Sequence, residues 1–76
     1  MKHIVKTGEE LLAASERSEQ VRGEIRRAGI TMTELAYFAG TSAQTVHAWI
    51  RTGLTKERYM ILLSAIGRAR AAAEGR

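Results

Sequence analysis

Helix punctuation is the feature that most limits what this 76-residue chain can become. Thr31-Met32-Thr33-Glu34 has the spacing of a capping box, in which a hydroxyl accepts from an orphan N–H and a carboxylate three residues on reaches back. Thr7-Gly8-Glu9-Glu10 repeats that spacing, and Ser42 and Thr55 stand where further helices would begin. Gly29, Gly40 and Gly53 stand where helices would end. With no proline, no low-complexity tract and no internal repeat, the chain reads as a succession of short helices. A chain of this length buries one small core, which a second copy could complete.

The first helical stretch carries Leu11, Ala14, Val21, Ile25 and Ala28 at helical spacing up to Gly29. Ser15 to Glu19 is strongly polar and Gly23 weakens the interior by about 1 kcal/mol relative to alanine. Two readings stand, one long helix or two with a break near Ser15 to Ser18, and the split is the expectation. Next come a short helix from Met32 to Ala39, a third from Ser42 as N-cap to about Arg51, and a fourth after Thr55 carrying Tyr59, Leu62, Leu63 and Ile66 inward. Gly67 either ends that helix or lies within it, since Arg68 to Glu74 is alanine-rich. "MKHIVKT" alternates like a short strand, which alone is unstable, so an arm or a strand paired with another chain is expected.

Composition removes several classes. There is no cysteine, hence no disulfide framework and no thiolate metal site. His3 and His47 are the only histidines, neither has a carboxylate partner by spacing, and no glycine-rich phosphate loop occurs, so neither an enzyme nor a metal or cofactor site is expected. The longest apolar run, Tyr59 to Ile66, falls far short of the roughly 20 residues that cross a bilayer, and no signal-peptide core opens the chain. A soluble, cytoplasmic, nucleoid-associated protein without a membrane partner is the expectation. The net charge of +4 is unevenly placed. Before Arg51 the basic and acidic residues cancel, whereas Arg51, Lys56, Arg58, Arg68, Arg70 and Arg76 face only Glu57 and Glu74. A basic excess of this size points weakly to polyanions.

Two short helices joined at a glycine, the second with an apolar seam and a polar outer face, have the layout of a helix-turn-helix. Leu35, Ala36, Gly40, Val46 and Trp49 fall where the Cro and phage-repressor (XRE-type) DNA-binding domains carry an apolar residue, alanine, the turn glycine and an apolar pair. The chain resembles that family from about Ser18 to Gly67. "EIRRAGITMTELA" is similar to its first helix junction, and "RTGLTKERYMILLSAIG" to its loop and fourth helix. The implied fold is lambda-repressor-like and all-α, with four to five short helices. The implied division is an arm and extra segment over 1–17, the DNA-binding domain over 18–67, and a basic extension over 68–76. Each position also has its own reason. Ala36 faces a helix crossing where a larger side chain would wedge, Gly40 accepts positive φ, and Val46 and Trp49 lie three apart on one face. Trp49 is a core residue on this reading, not a base-stacking one.

With Val46, Trp49 and Ile50 inward, the outer face of the third helix is Ala43, Gln44, His47, Ala48 and Arg51, free of acids. The resemblance gives the base-reading role to Ala43, Gln44, His47 and Ala48. Glutamine can pair bidentately with adenine, and alanine can touch a thymine methyl. Thr33, Thr41, Ser42, Thr45, Arg51, Lys56 and Arg58 are the phosphate candidates, with capping as the competing role for the hydroxyls and a solvated edge for the cations. The sequence departs from the family at Thr41, where an aliphatic residue is usual, and at Tyr37 and Phe38, where exposed polar residues are usual. Such aromatics call for cover, either from the N-terminal segment with Leu11 and Leu12 or from a second subunit. The family often dimerises through a fifth helix, and without one the expected dimer contact falls on the N-terminal segment, on Tyr37 and Phe38, or on the Arg68 to Arg76 extension. The expectation is a homodimeric repressor reading an inverted repeat in double-stranded DNA, and the competing class is a protein-interaction module such as an antitoxin.

Overall fold

The computed structural model describes residues 8–75. The arm or strand expected over Met1 to Thr7, the Thr7 cap, His3 and Arg76 lie outside the described residues. Four helices follow one another, α1 (Gly8–Ala28), α2 (Met32–Ala39), α3 (Ala43–Thr52) and α4 (Lys56–Glu74), with no strand among the described residues. The fold is all-helical.

The expected break in the first helix does not occur, and α1 is continuous through Ser15 to Glu19 and through Gly23. The polar stretch is polar on its solvent side only. Ala14, Ser18 and Val21 are buried at helical spacing. Arg17 reaches across to donate from Nη1 to the Leu54 carbonyl at 2.8 Å and lies 3.6 Å from the Glu10 carboxylate. Glu19 with Arg22 and Glu24 with Arg27 are ion pairs one turn apart, each of a kind that supports a helix by about 0.2–0.5 kcal/mol. These local contacts offset the single glycine.

Gly67 likewise lies inside α4, exposed, and the helix runs on with Ala69 buried. Arg68 donates from Nη2 to the Phe38 carbonyl at 3.1 Å, placing a cation at the C-terminal end of α2, where the helix dipole favours it. Both 17/18 and 67/68 therefore fall inside continuous helices.

The core is one cluster of Val21, Leu35, Ala36, Val46, Ile50, Leu54, Leu62, Ala65 and Ile66, with Ile25, Phe38, Trp49 and Tyr59 packed at its margin. α2 packs on α4 and α3, and α1 packs on α4 and α3. Tyr59 also donates from its hydroxyl to Gln20 Oε1 at 2.5 Å, joining α4 to α1.

The caps form as their spacing predicts. Thr31 accepts from the Glu34 N–H at 3.1 Å while the Glu34 carboxylate accepts from the Thr31 N–H at 2.8 Å. At the other end of α2, Gly40 takes φ 76° and its N–H reaches the Tyr37 carbonyl, while the Thr41 N–H reaches the Ala36 carbonyl at 3.0 Å. This is a Schellman closure. Thr41 serves the turn through its backbone, so the loss of an aliphatic side chain there leaves the turn intact.

Gly53 is the more constrained turn. It has φ 99° and ψ 132°, and a Cβ placed on it would lie 3.0 Å from the Ala14 Cβ. Beyond it Leu54 is fully buried, and its N–H donates to the Ala14 carbonyl at 3.1 Å.

The two glycines should separate on substitution. Gly40→Ala, with open space around the added carbon, should cost about 1–2 kcal/mol, the usual strain of a left-handed residue. Gly53→Ala adds the collision with Ala14 and should cost roughly 3 kcal/mol or more. Urea denaturation of both variants checks the order, and equal losses would mean that the loop can move away from α1.

Candidate nucleic-acid interface

α3 is held by one side and presents the other. Val46 and Ile50, four apart, are buried, and Trp49 is half-buried beside them. Gln44, His47 and Arg51 are exposed at spacings of three and four, so they form a single stripe along the helix. Ala43, Thr45 and Ala48 flank that stripe, half-buried. α3 contains no aspartate or glutamate, so no carboxylate on the helix itself opposes an approaching anion.

At the N-terminus of α3, Ser42 accepts from the Thr45 N–H at 3.1 Å and donates its own hydroxyl to Thr45 Oγ1 at 3.0 Å. Capping engages Ser42 and leaves the Thr45 hydroxyl hydrogen available. The N–H groups of Ala43 and Gln44 precede the first intrahelical bond and point outward with the positive end of the helix dipole. At the other end the Thr52 hydroxyl donates to the Ala48 carbonyl at 2.9 Å, tying down the last turn beside Arg51.

The remaining phosphate candidates divide. Lys56 and Arg58 open α4, exposed, immediately after the loop that follows α3. Arg58 lies over the Trp49 ring, its Cζ 4.9 Å from the centroid, an arrangement that orients the guanidinium and keeps its charge. Trp49 is thus packed between the core and a cation. Thr33 is exposed in the first turn of α2, and Thr41 is half-buried in the turn between α2 and α3.

The aromatic pair is not covered by α1. Tyr37 is 77% exposed, while Phe38 is half-buried against the core and meets Tyr37 edge-on at 5.1 Å between centroids. Leu11 and Leu12 are themselves exposed, at 54% and 62%. The reason is the direction of α1, whose N-terminal half docks on the loop after α3 through Ala14 and Arg17. Met60 and Ile61 on α4 add exposed apolar surface that helical spacing did not single out.

Sequence reasoning also missed the α1 arginines. Arg22 and Arg26, one turn apart on either side of Ile25, line a cleft of about 410 Å³ with His47, Ile50 and Arg51 of α3. The i, i+4 spacing of two cations flanking a core residue was the available signal. Among the described residues no cluster of His, Asp and Glu is placed to hold a metal ion, and no helix is long and apolar enough to cross a membrane. Comparison of the chain with protein-family models, with curated proteins and with solved structures finds no match.

The hydroxyls sort by stability. Ser42→Ala should cost about 1 kcal/mol through the lost cap. Thr33→Ala, which makes no contact of that kind, should stay within about 0.5 kcal/mol of the parent. Thermal denaturation of the two side by side checks this, and an equal loss would give Thr33 a structural role.

Proposed function

We propose that the chain is a sequence-specific DNA-binding regulator, a small homodimeric repressor in which α2, the Gly40 turn and α3 act as a helix-turn-helix. The observation that carries this reading is the stripe of Gln44, His47 and Arg51, exposed on an acid-free helix whose opposite face is locked in the core. A helix reads the major groove best with a slim polar leading face on a scaffold that holds it rigidly, and a face without carboxylates adds no repulsion toward the phosphates. Ala43 and Ala48 leave room for bases beside Gln44 and His47. Thr41, Ser42, Thr45 and the free N–H groups at the start of α3 meet one strand of phosphates, and Arg51, Lys56 and Arg58 meet another. Thr33 joins the first group from α2.

Two copies would read half-sites about one helical turn apart, roughly 34–36 Å. Tyr37, Leu11, Leu12 and Met60 are exposed apolar residues available for pairing. The exposure of Tyr37 supports a second reading, a protein-binding module on this fold, in which Tyr37 inserts into a partner.

Selection of duplexes from a randomised pool at about 150 mM salt, where nonspecific binding is weak, tests the reading. Recovery of an inverted repeat is the expected result, and folded protein that enriches nothing would transfer the weight to the protein-binding module. On the selected site Gln44→Ala should lose roughly 1–3 kcal/mol while random DNA is little affected. Arg51→Ala should weaken binding on every sequence and reduce the salt slope by about one. An unchanged slope would remove Arg51 from the phosphate contacts.

A further inference from the structure

Two clefts lie side by side between α1 and α3, sharing Arg22, Ile50 and Arg51 in their walls. The larger is bounded by Arg26 and His47, and the smaller, about 110 Å³, reaches Ser18. Neither wall contains a carboxylate. Arg22 is partly neutralised by Glu19, but Arg26, His47 and Arg51 make no hydrogen bond or ion pair among the described residues. This contrasts with Arg17, Arg27 and Arg68, each engaged elsewhere in the fold. Cations from two different helices thus face one cleft with their charge unspent.

Ser18 supplies the second observation. It is 2% exposed, and its Oγ has no hydrogen-bond partner. A buried hydroxyl left in this state costs about 1–3 kcal/mol, and Ser18 stands in the wall of the smaller cleft, where a small rotation of its side chain would let the hydroxyl meet a polar group. The third observation is the floor, where Ile25, Met32 and Ile50 present carbon beside the cations.

The geometry points to a site for a phosphoryl group carried on a small carbon framework. Guanidinium groups from two helices suit a dianion with three terminal oxygens better than a single carboxylate, and their forked donors match phosphate. Arg26, Arg51 and His47 hold the phosphoryl oxygens, with Arg22 behind them. The Ser18 hydroxyl donates to an oxygen of the framework, and the framework's carbons cover Ile25, Met32 and Ile50. Two sources carry this chemistry, the sugar-phosphate backbone of a duplex lying on α3 or a free phosphorylated molecule. The first rests on the DNA-binding reading. The second stands without it, and because His47 and Arg51 also belong to the exposed stripe, such a molecule would compete with a duplex.

The test is an NMR titration of the full chain, following the arginine Nε–H signals. The probes are inorganic phosphate and ribose 5-phosphate, with chloride at equal ionic strength as control. The expected result is a saturable, joint movement of the Arg26 and Arg51 signals with both phosphates and not with chloride. Arg26→Gln should weaken phosphate binding about tenfold, the value of one lost charge-assisted hydrogen bond. Arg26 is exposed and unpaired, so this variant should keep the parent's thermal stability. Ser18→Ala should weaken ribose 5-phosphate binding more than inorganic phosphate binding, with stability equal to or above the parent's. Signals that follow chloride as they follow phosphate, or an Arg26→Gln variant that binds as the parent does, would overturn the site. In a parallel duplex titration, a loss for Arg26→Gln on all sequences assigns the phosphoryl group to the DNA backbone. Duplex affinity unchanged by Arg26→Gln, while the same substitution weakens phosphate binding, assigns it to a free ligand. Phosphate binding by a parent chain that binds no duplex would remove the regulator reading and leave the cleft standing.

Discussion

Leu54 is gripped by α1 through both of its backbone groups, its N–H by the Ala14 carbonyl and its carbonyl by the Arg17 guanidinium, while its side chain is fully buried. A loop residue in such a position has no freedom left. It fixes where α3 ends and α4 begins, and the position before it suits glycine twice over, since its φ of 99° disfavours any side chain and an added β-carbon would lie 3.0 Å from the Ala14 Cβ. The orientation of α3 therefore depends on the N-terminal half of α1, a segment that the punctuation of the sequence sets apart from the rest. Remove that grip and α3 retains its packing through Val46 and Ile50 but loses the anchor at its C-terminal end, beside Arg51.

Much of this was legible because it is local. Thr31 with Glu34, Gly40, Ser42 and Thr55 do what their spacing requires, since a cap is decided within one helical turn. The inward side of α3 was legible for the same reason. What the sequence hid was long-range. Ser15 to Glu19 reads as a break only if no partner is known for Arg17, and that partner lies 37 residues away. Gly67 reads as a stop only if Arg68 is taken for a solvated charge, whereas it reaches the end of α2. The cleft between α1 and α3 needed the crossing of two helices, which no spacing along one chain reveals.

The described arginines fall into two populations. Arg17, Arg22, Arg27 and Arg68 are drawn into the fold by a carboxylate or a carbonyl, and Arg58 is laid over an indole. Arg26, Arg51 and Arg70 are left without such partners, and the first two line the cleft between α1 and α3. A net charge describes none of this. The distribution of partners leaves two uncompensated positive charges in one cleft, where they act at a range of about 10 Å at moderate salt.

The residues that hold α3 and those that it presents interleave without overlap. Val46 and Ile50 face inward, with Gly53 and Leu54 fixing the turn beyond, while Gln44, His47 and Arg51 are exposed and make no hydrogen bond or ion pair among the described residues. The presented set is therefore exchangeable. A lineage built on this scaffold could rewrite 44, 47 and 51 in any combination and keep the same molecule beneath, whereas one substitution at 53 would disturb every face at once.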